Sequence, residues 1–217
     1  MPTLDELQTW MDGNIRKGLT GSIFVKKWEA ADPEITVLKG ASGLLALPPG
    51  YVDVGRITKD QGASWTSETE TSDVTSLGSA SPTRRDIISV TKGLSFTMQE
   101  SKRAAFELHE GIDLSAVSPD ANGNIAWDQP DRPASVDYRV LALFKDGEGA
   151  NAVYFGKWLP RAQVSDMGEQ TWNEESEIQY PVTLTAFVDD AAGTAVRTMW
   201  AASASRLTSM GFPPATP

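Results

Sequence analysis

Arg84-Arg-Asp-Ile-Ile-Ser-Val-Thr-Lys-Gly-Leu-Ser-Phe-Thr-Met98 is the stretch on which the fold turns. Ile88, Val90, Leu94, Phe96 and Met98 alternate with Ser89, Thr91, Gly93, Ser95 and Thr97, a period of two that predicts a β-strand with one face in a core. Fifteen residues exceed the usual strand of about five or six. Either a bulge at Gly93 interrupts it, or the strand serves something larger than a sandwich.

The flanking segments extend the same pattern. Upstream, Ile23 and Val25 alternate with Ser22, Phe24 and Lys26, and Ile35 to Leu38 follow a turn at Asp32-Pro33, which reads as a hairpin. Gly43 to Gly50 contains two prolines that cannot donate to a ladder, so it is expected to cross over rather than sit centrally. Downstream, Ser101 to Gly111 reads as one short helix over 101–110. Residues 113–134 form a turn-rich connection with Asn122-Gly123, Pro130 and Pro133. Ser135 to Lys145 and Asn151 to Val164 are expected to pair across Asp146 to Gly149. Glu177 to Asp189 is a last strand in which Pro181 suggests an edge position or a bulge.

Residues 60–83 differ in kind. Asp60 to Asp73 is almost wholly Ser, Thr and acid, with Trp65 its one large apolar group. It reads as a long polar loop or projecting hairpin, with disorder as the competing expectation. An aromatic isolated in such a segment suggests an interface anchor.

The expected fold is mainly β, an antiparallel β-sandwich or partly closed barrel with one short flanking α-helix. The expected organisation is an N-terminal arm with a short helix over 1–20, a β domain over 21–190 and a loose C-terminal tail over 191–217. In the arm, Thr3 and Glu6 form a capping pair, and Leu4, Leu7, Trp10 and Met11 share a face that needs something to dock on, the chain's own core or a neighbouring subunit.

Composition narrows the function. The 217 residues are 40% hydrophobic and include 18 Gly and 13 Pro but no Cys, which excludes a disulfide framework or thiolate metal site. The acidic Met1 to Leu7 lacks the basic start of a signal peptide, no apolar run reaches membrane-span length, and synthesis in the cytoplasm is expected. Nineteen Lys and Arg against 29 Asp and Glu give a net charge of −10, which opposes nucleic-acid binding and otherwise reads as solubility.

Catalytic patterns are missing. The single His109 lies in the predicted helix without nucleophile or orienting partner. Asp120-Ala-Asn122-Gly-Asn124 is only a fragment of a calcium loop. The acid pairs Glu68 with Glu70 and Glu174 with Glu175 sit among polar neighbours that leave carboxylates ionised. No catalytic residue, cofactor site or metal site is expected. Seven tryptophans motivate one alternative, a carbohydrate-binding or adhesion sandwich, although most fall in or beside predicted strands where core packing is the ordinary explanation.

Three stretches carry a resemblance. They are Tyr51 to Gly55 leading through Gly62-Ala-Ser-Trp65 to Asp73, then Ser81-Pro-Thr-Arg-Arg-Asp86 with the long strand and helix to Gly111, and Tyr180 to Asp189 with Gly193 following. Over roughly residues 50–195 their order resembles the major tail tube proteins of siphophages, the long non-contractile-tailed bacteriophages, closest to those of actinobacterial phages. The resemblance implies a structural virion protein that self-assembles into stacked hexameric rings, a conduit for DNA. It implies as partners a tape measure protein in the lumen, tail terminator and tail tip proteins, and DNA that passes without specific binding, with no membrane involved. It further implies that loops such as 60–83 reach the adjacent ring, which makes Trp65, Glu68, Glu70, Asp73, Arg84 and Arg85 the candidate contacts between subunits or rings.

Overall fold

The computed structural model describes residues 3–40, 43–44, 47–132 and 135–214. Parts of the expected crossover 43–50 (residues 45–46), of the turn-rich connection (133–134) and of the tail (215–217) lie outside the described residues.

In chain order the elements are α1 (Leu4–Leu7), β1 (Thr20–Lys27), β2 (Lys39–Gly40), β3 (Gly43–Leu44), β4 (Val52–Asp53), β5 (Ser64–Val74), β6 (Arg84–Met98), α2 (Arg103–Glu110), β7 (Asp137–Asp146), β8 (Val153–Met167), β9 (Tyr180–Ala186), β10 (Arg197–Ala201) and α3 (Ala204–Ser209). One antiparallel sheet runs β4-β1-β7-β8-β9-β6-β5. The long β8 pairs with β10 through Tyr154 to Trp158 and with β9 from Ala162 onward.

The sheet curls around one core. Ile23 and Val25, Val140 and Ala142, Val182 and Leu184, and Leu94, Phe96 and Met98 meet there, capped by Ala104, Ala105 and Leu108 of α2. The sheet is not closed by strand pairing, but residues 52–58 cross its open side. Val54 N–H donates to Ile23 O at 3.0 Å, and Thr58 N–H donates to Thr97 O at 2.9 Å. The chain thereby ties β1 to β6, and the mainly antiparallel β, partly closed class expected from alternation is the one observed.

A second layer covers the outer side of β7 and β8. Ile35, Leu38, Leu141, Trp158, Met199 and Ala201 pack there, so β7 is buried on both faces, which explains its unbroken apolar run Val140 to Leu143. Within this layer Arg139, 1% exposed, lies 3.7 Å from Asp32 and 3.9 Å from Asp189. Its guanidinium also donates to the carbonyls of Glu29 and Pro33 and stacks over Trp158. Asp189 accepts from the Trp28 indole at 2.7 Å and from Ala192 N–H at 2.9 Å. Lys26 pairs with Asp32. The cluster fastens the loops around 29–33 and 189–192 to the sheet.

Several expectations are corrected. Of the two readings of residues 60–83, the projecting hairpin is the one observed: residues 64–74 form strand β5, ordered by pairing with β6 although neither face is broadly apolar. The segment beyond 190 is not a loose tail: β10 joins β8, and α3 closes on the N-terminal arm, where Asn14 Nδ2 donates to Ser209 O at 2.7 Å. With α1 and α3, the α-helices number three among the described residues. Pro181 lies in β9 between β8 and β6, not at an edge. It is the second residue of the strand, where its missing N–H costs little, and its carbonyl accepts from Gly168 N–H. Gly93 is in register and not a bulge; a Cβ there would meet Thr66 Oγ1 at 2.6 Å. The irregularity in the hairpin falls at Glu70/Thr71, opposite Ile88.

The buried cluster yields a test. Burial raises the Asp189 carboxyl pKa, but the Ala192 N–H, the Trp28 indole and the Arg139 charge together hold it below its ordinary value of 3.8. A depressed carboxylate stabilises the fold above the unfolded pKa and loses that contribution as pH falls through the folded one. Asp189→Ala removes one of the two carboxylates beside the buried Arg139, leaving Asp32, and is expected to cost about 3 kcal/mol at pH 7, measured by urea unfolding. The gap to the parent is expected to narrow below about pH 4.

Candidate assembly surface

All six candidate residues lie on the β5–β6 hairpin, and the pairing fixes which of them share a face. Directly opposed residues of an antiparallel pair point the same way. Thr66, Glu68 and Glu70 stand opposite Gly93, Thr91 and Ser89, and this face continues through Thr185 and Thr183 of β9, opposite Gly93 and Ser95, to Gln163 and Asp166 of β8. The result is a broad sheet face of hydroxyls and small groups, turned away from the core. Its charged members are Glu68, Glu70 and Asp166, with Asp86 and Arg84, opposite Ser72 and Val74, toward the tip, and Asp137, opposite Gln163 and paired with Arg161, at the other end.

Cross-strand chemistry is local. Glu70 accepts from Ser89 Oγ at 3.1 Å. Arg85 clamps Asp73 in a bidentate pair, Nε to Oδ1 at 2.7 Å and Nη2 to Oδ2 at 2.8 Å, and this hydrogen bonding holds the Asp73 carboxyl below its usual range. Arg84 turns to Asp86 at 2.8 Å. Both arginines and Asp73 are therefore already paired near the hairpin tip, in exposed pairs of small energetic worth.

Trp65 is not an anchor at the tip. It sits at the hairpin base opposite the buried Leu94, packs against the core and lies under Lys157, whose Nζ is 4.5 Å from the ring centroid. It forms one wall of an apolar groove with Phe144, Phe155 and Trp200.

The surface carries groups that alternation misassigned. The core expected along all of β6 contains only Leu94, Phe96 and Met98, whereas Ile88 is 60% and Val90 50% exposed. Ile87, Val74 and Leu77 are exposed beside them. The strand keeps its apolar alternation past the end of the subunit's own core. The only sequence signal for this was the excess length of the strand. On the far side of the hairpin, β5 pairs with β6 alone among the described residues, leaving one edge of an eleven-residue strand unpaired.

The remaining sequence candidates are self-satisfied. His109 Nε2 lies 3.1 Å from Gly168 O, and its ring packs edge-on against Tyr180. Asp120 accepts from the N–H groups of Asn122 and Asn124 as a closed turn. Among the described residues no three His, Asp or Glu gather as a metal site, and no helix is long and apolar enough to cross a membrane. The tryptophans do not converge on one platform: Trp158 is buried, Trp28 and Trp127 bond to Asp189 and Glu110, and Trp10 and Trp172 stand exposed and apart from the groove.

The family model described as phage tail tube protein matches residues 8–205. No curated protein matches the sequence. Among solved structures, the chain is similar to one in the virion of a native gene transfer agent particle, at 12% identity over 70% of this chain and 91% of that chain, TM-score 0.36. It is similar to one in the anti-feeding prophage cap, described as the tube terminating cap, at 13% identity over 82% and 88%, TM-score 0.38. A third similar structure is the crystal structure of Hcp protein, at 12% identity over 84% and 99%, TM-score 0.30.

Because Glu68, Glu70 and Arg85 make only exposed contacts, Glu68→Gln with Glu70→Gln, or Arg85→Ala alone, is expected to change the stability of the free chain by no more than about 0.5 kcal/mol. Denaturant titration of the monomer checks this. A loss of several times that amount would mean the hairpin is braced in a way the geometry does not contain.

Proposed function

The chain belongs to the phage tail tube protein family, a structural component of the virion tail and not an enzyme, and on that premise we propose that it builds the tube by self-association into stacked hexameric rings. The observation that carries this reading is the β5–β6 hairpin, with apolar groups beyond its own core and an unpaired edge. An open edge and uncovered Ile87, Ile88 and Val90 are liabilities in a monomer. Added to a neighbour's sheet, the same features close the ladder and bury the apolar side, and six repetitions close a ring.

In this arrangement the polar face bearing Glu68, Glu70 and Asp166 lines the lumen. Hydroxyls and the carboxylates of Glu68, Glu70 and Asp166 repel a phosphate backbone, while Arg84 and Arg161 are already paired with Asp86 and Asp137, so DNA passes without sticking. Trp65, Asp73, Arg84 and Arg85 belong to the contacts between subunits or rings, the exposed tip around Leu77 reaching the next ring. Residues 1–20 act as an arm outside the tube domain. The tube belongs to a siphophage tail, of the kind found in actinobacterial phages. A tape measure protein fills the lumen before ejection, and terminator and tip proteins bound its ends. The subunit is made in the host cytoplasm.

Negative-stain electron microscopy of the concentrated, aged protein is expected to give tubes or six-fold rings. Ile87→Asp with Ile88→Asp is expected to leave the monomer folded, since both side chains are exposed, yet to abolish those assemblies. A parent protein that stays monomeric even when seeded with tail tips, or a variant that assembles as the parent does, would contradict the reading.

A further inference from the structure

Besides the hairpin, two apolar features are left uncovered among the described residues, and they complement each other. The first is the N-terminal arm. Leu4 is 70%, Leu7 64% and Trp10 81% exposed. Between residues 3 and 14 the arm carries Asp5, Glu6 and Asp12 and no Lys or Arg. Its root is fixed: Arg206 and Ser209 of α3 hold Gly13 and Asn14, and Leu19 N–H donates to Lys145 O.

The second is the groove walled by Trp65, Phe144, Phe155 and Trp200, of about 400 Å³. Phe155 stacks on Trp200 at 5.0 Å and on Phe144 at 6.2 Å. Gly156 lies in its floor, where a Cβ would meet Ala142 O at 2.6 Å. Lys157 lies at its mouth, and an adjoining hollow is lined by Lys92. No carboxylate lines either hollow, in a chain of net charge −10. Among the described residues neither lysine makes an ion pair. An aromatic groove rimmed by cations that lack an acidic partner fits an apolar segment that carries acids.

Within one copy, Leu4, Leu7 and Trp10 stay exposed, so the arm is not seated in its own groove. We propose that the arm of one subunit docks in the aromatic groove of a neighbouring copy, Trp10 entering between Trp65 and Trp200 while Glu6 and Asp12 face Lys157 and Lys92. This rests on the self-assembly proposed above and adds a second contact between copies, separate from the β5 edge. The groove lies at the base of the hairpin, and the docked arm covers the part of Trp65 that the subunit's own core leaves bare.

The chain contains no cysteine, which permits a clean test on full-length protein. Thr9→Cys and Thr198→Cys, each as a single variant, are mixed, allowed to assemble, imaged, and treated with a short bismaleimide. A heterodimer band is expected only in the mixture, and is expected to vanish with Trp10→Ala. Lys157→Glu is expected to lower its yield by about fivefold, and Glu6→Lys to restore it. Assemblies that form normally without the heterodimer would overturn the arm proposal and leave the tube reading standing. A doubly substituted chain that cross-links within itself as a dilute monomer would place the arm in its own groove and also overturn it. If neither parent nor variants assemble, the self-assembly reading itself fails.

Discussion

Everything in this subunit is arranged around a strand that is longer than the core beneath it. From Leu94 to Met98 the apolar side of β6 is sealed by the curled sheet and α2; from Arg84 to Thr91 the same strand continues with nothing on either side but its partner β5. Pairing between β5 and β6 orders that half, while the outward N–H and C=O groups of β5 have no ladder partner among the described residues. A two-stranded ribbon is marginal in water, and here it is held by its continuity with the sheet. Among the described residues, nothing pairs with the outer edge of β5.

The rest of the fold makes that projection affordable. Residues 52–58 cross the open side of the barrel and bind β1 to β6, so the base of the hairpin is rigid even though the sheet is not closed. On the outer side, the Arg139 cluster pins two loops and lets β10 complete the covering of β8. Arg139 Nε and Asp32 Oδ2 lie 3.7 Å apart without a hydrogen bond, an ion pair carried by proximity and by the surrounding carbonyl and indole groups. Such a cluster is weak as a source of stability and strong as a constraint on register, because any other seating of the loops leaves a buried charge unmatched.

Much of this was legible in the sequence, and the failures share a cause. Alternation located β1, β6, β7, β8 and β9 because one-sided burial writes a period of two into the residues. The same rule places Ile88 and Val90 in the core, since the period of a strand reports that one side is apolar and not where the subunit's own core ends. Strand β5 was read as loop or hairpin because Ser64 to Val74 has no apolar side at all; its order comes from hydrogen bonds to β6, which composition does not record. The C-terminal segment was read as a tail because the small residues after Asp190 hide Met199 and Ala201, whose burial depends on Trp158 in a distant strand. Of the site, the hairpin was found through its composition. The aromatic groove was missed because Trp65, Phe144, Phe155 and Trp200 are brought together only by the pairing of β7, β8 and β10.

The central claim is that the free edge of β5 is completed by another copy of the chain. Amide hydrogen exchange, resolved to single residues and compared between the free subunit and its assemblies, addresses it most directly. The amides of Ser64 to Val74 that aim away from β6 are expected to exchange freely in the monomer and to gain strong protection on assembly, together with burial of Ile88 and Val90. Assembled protein in which those amides still exchange as fast as in the monomer would contradict the account.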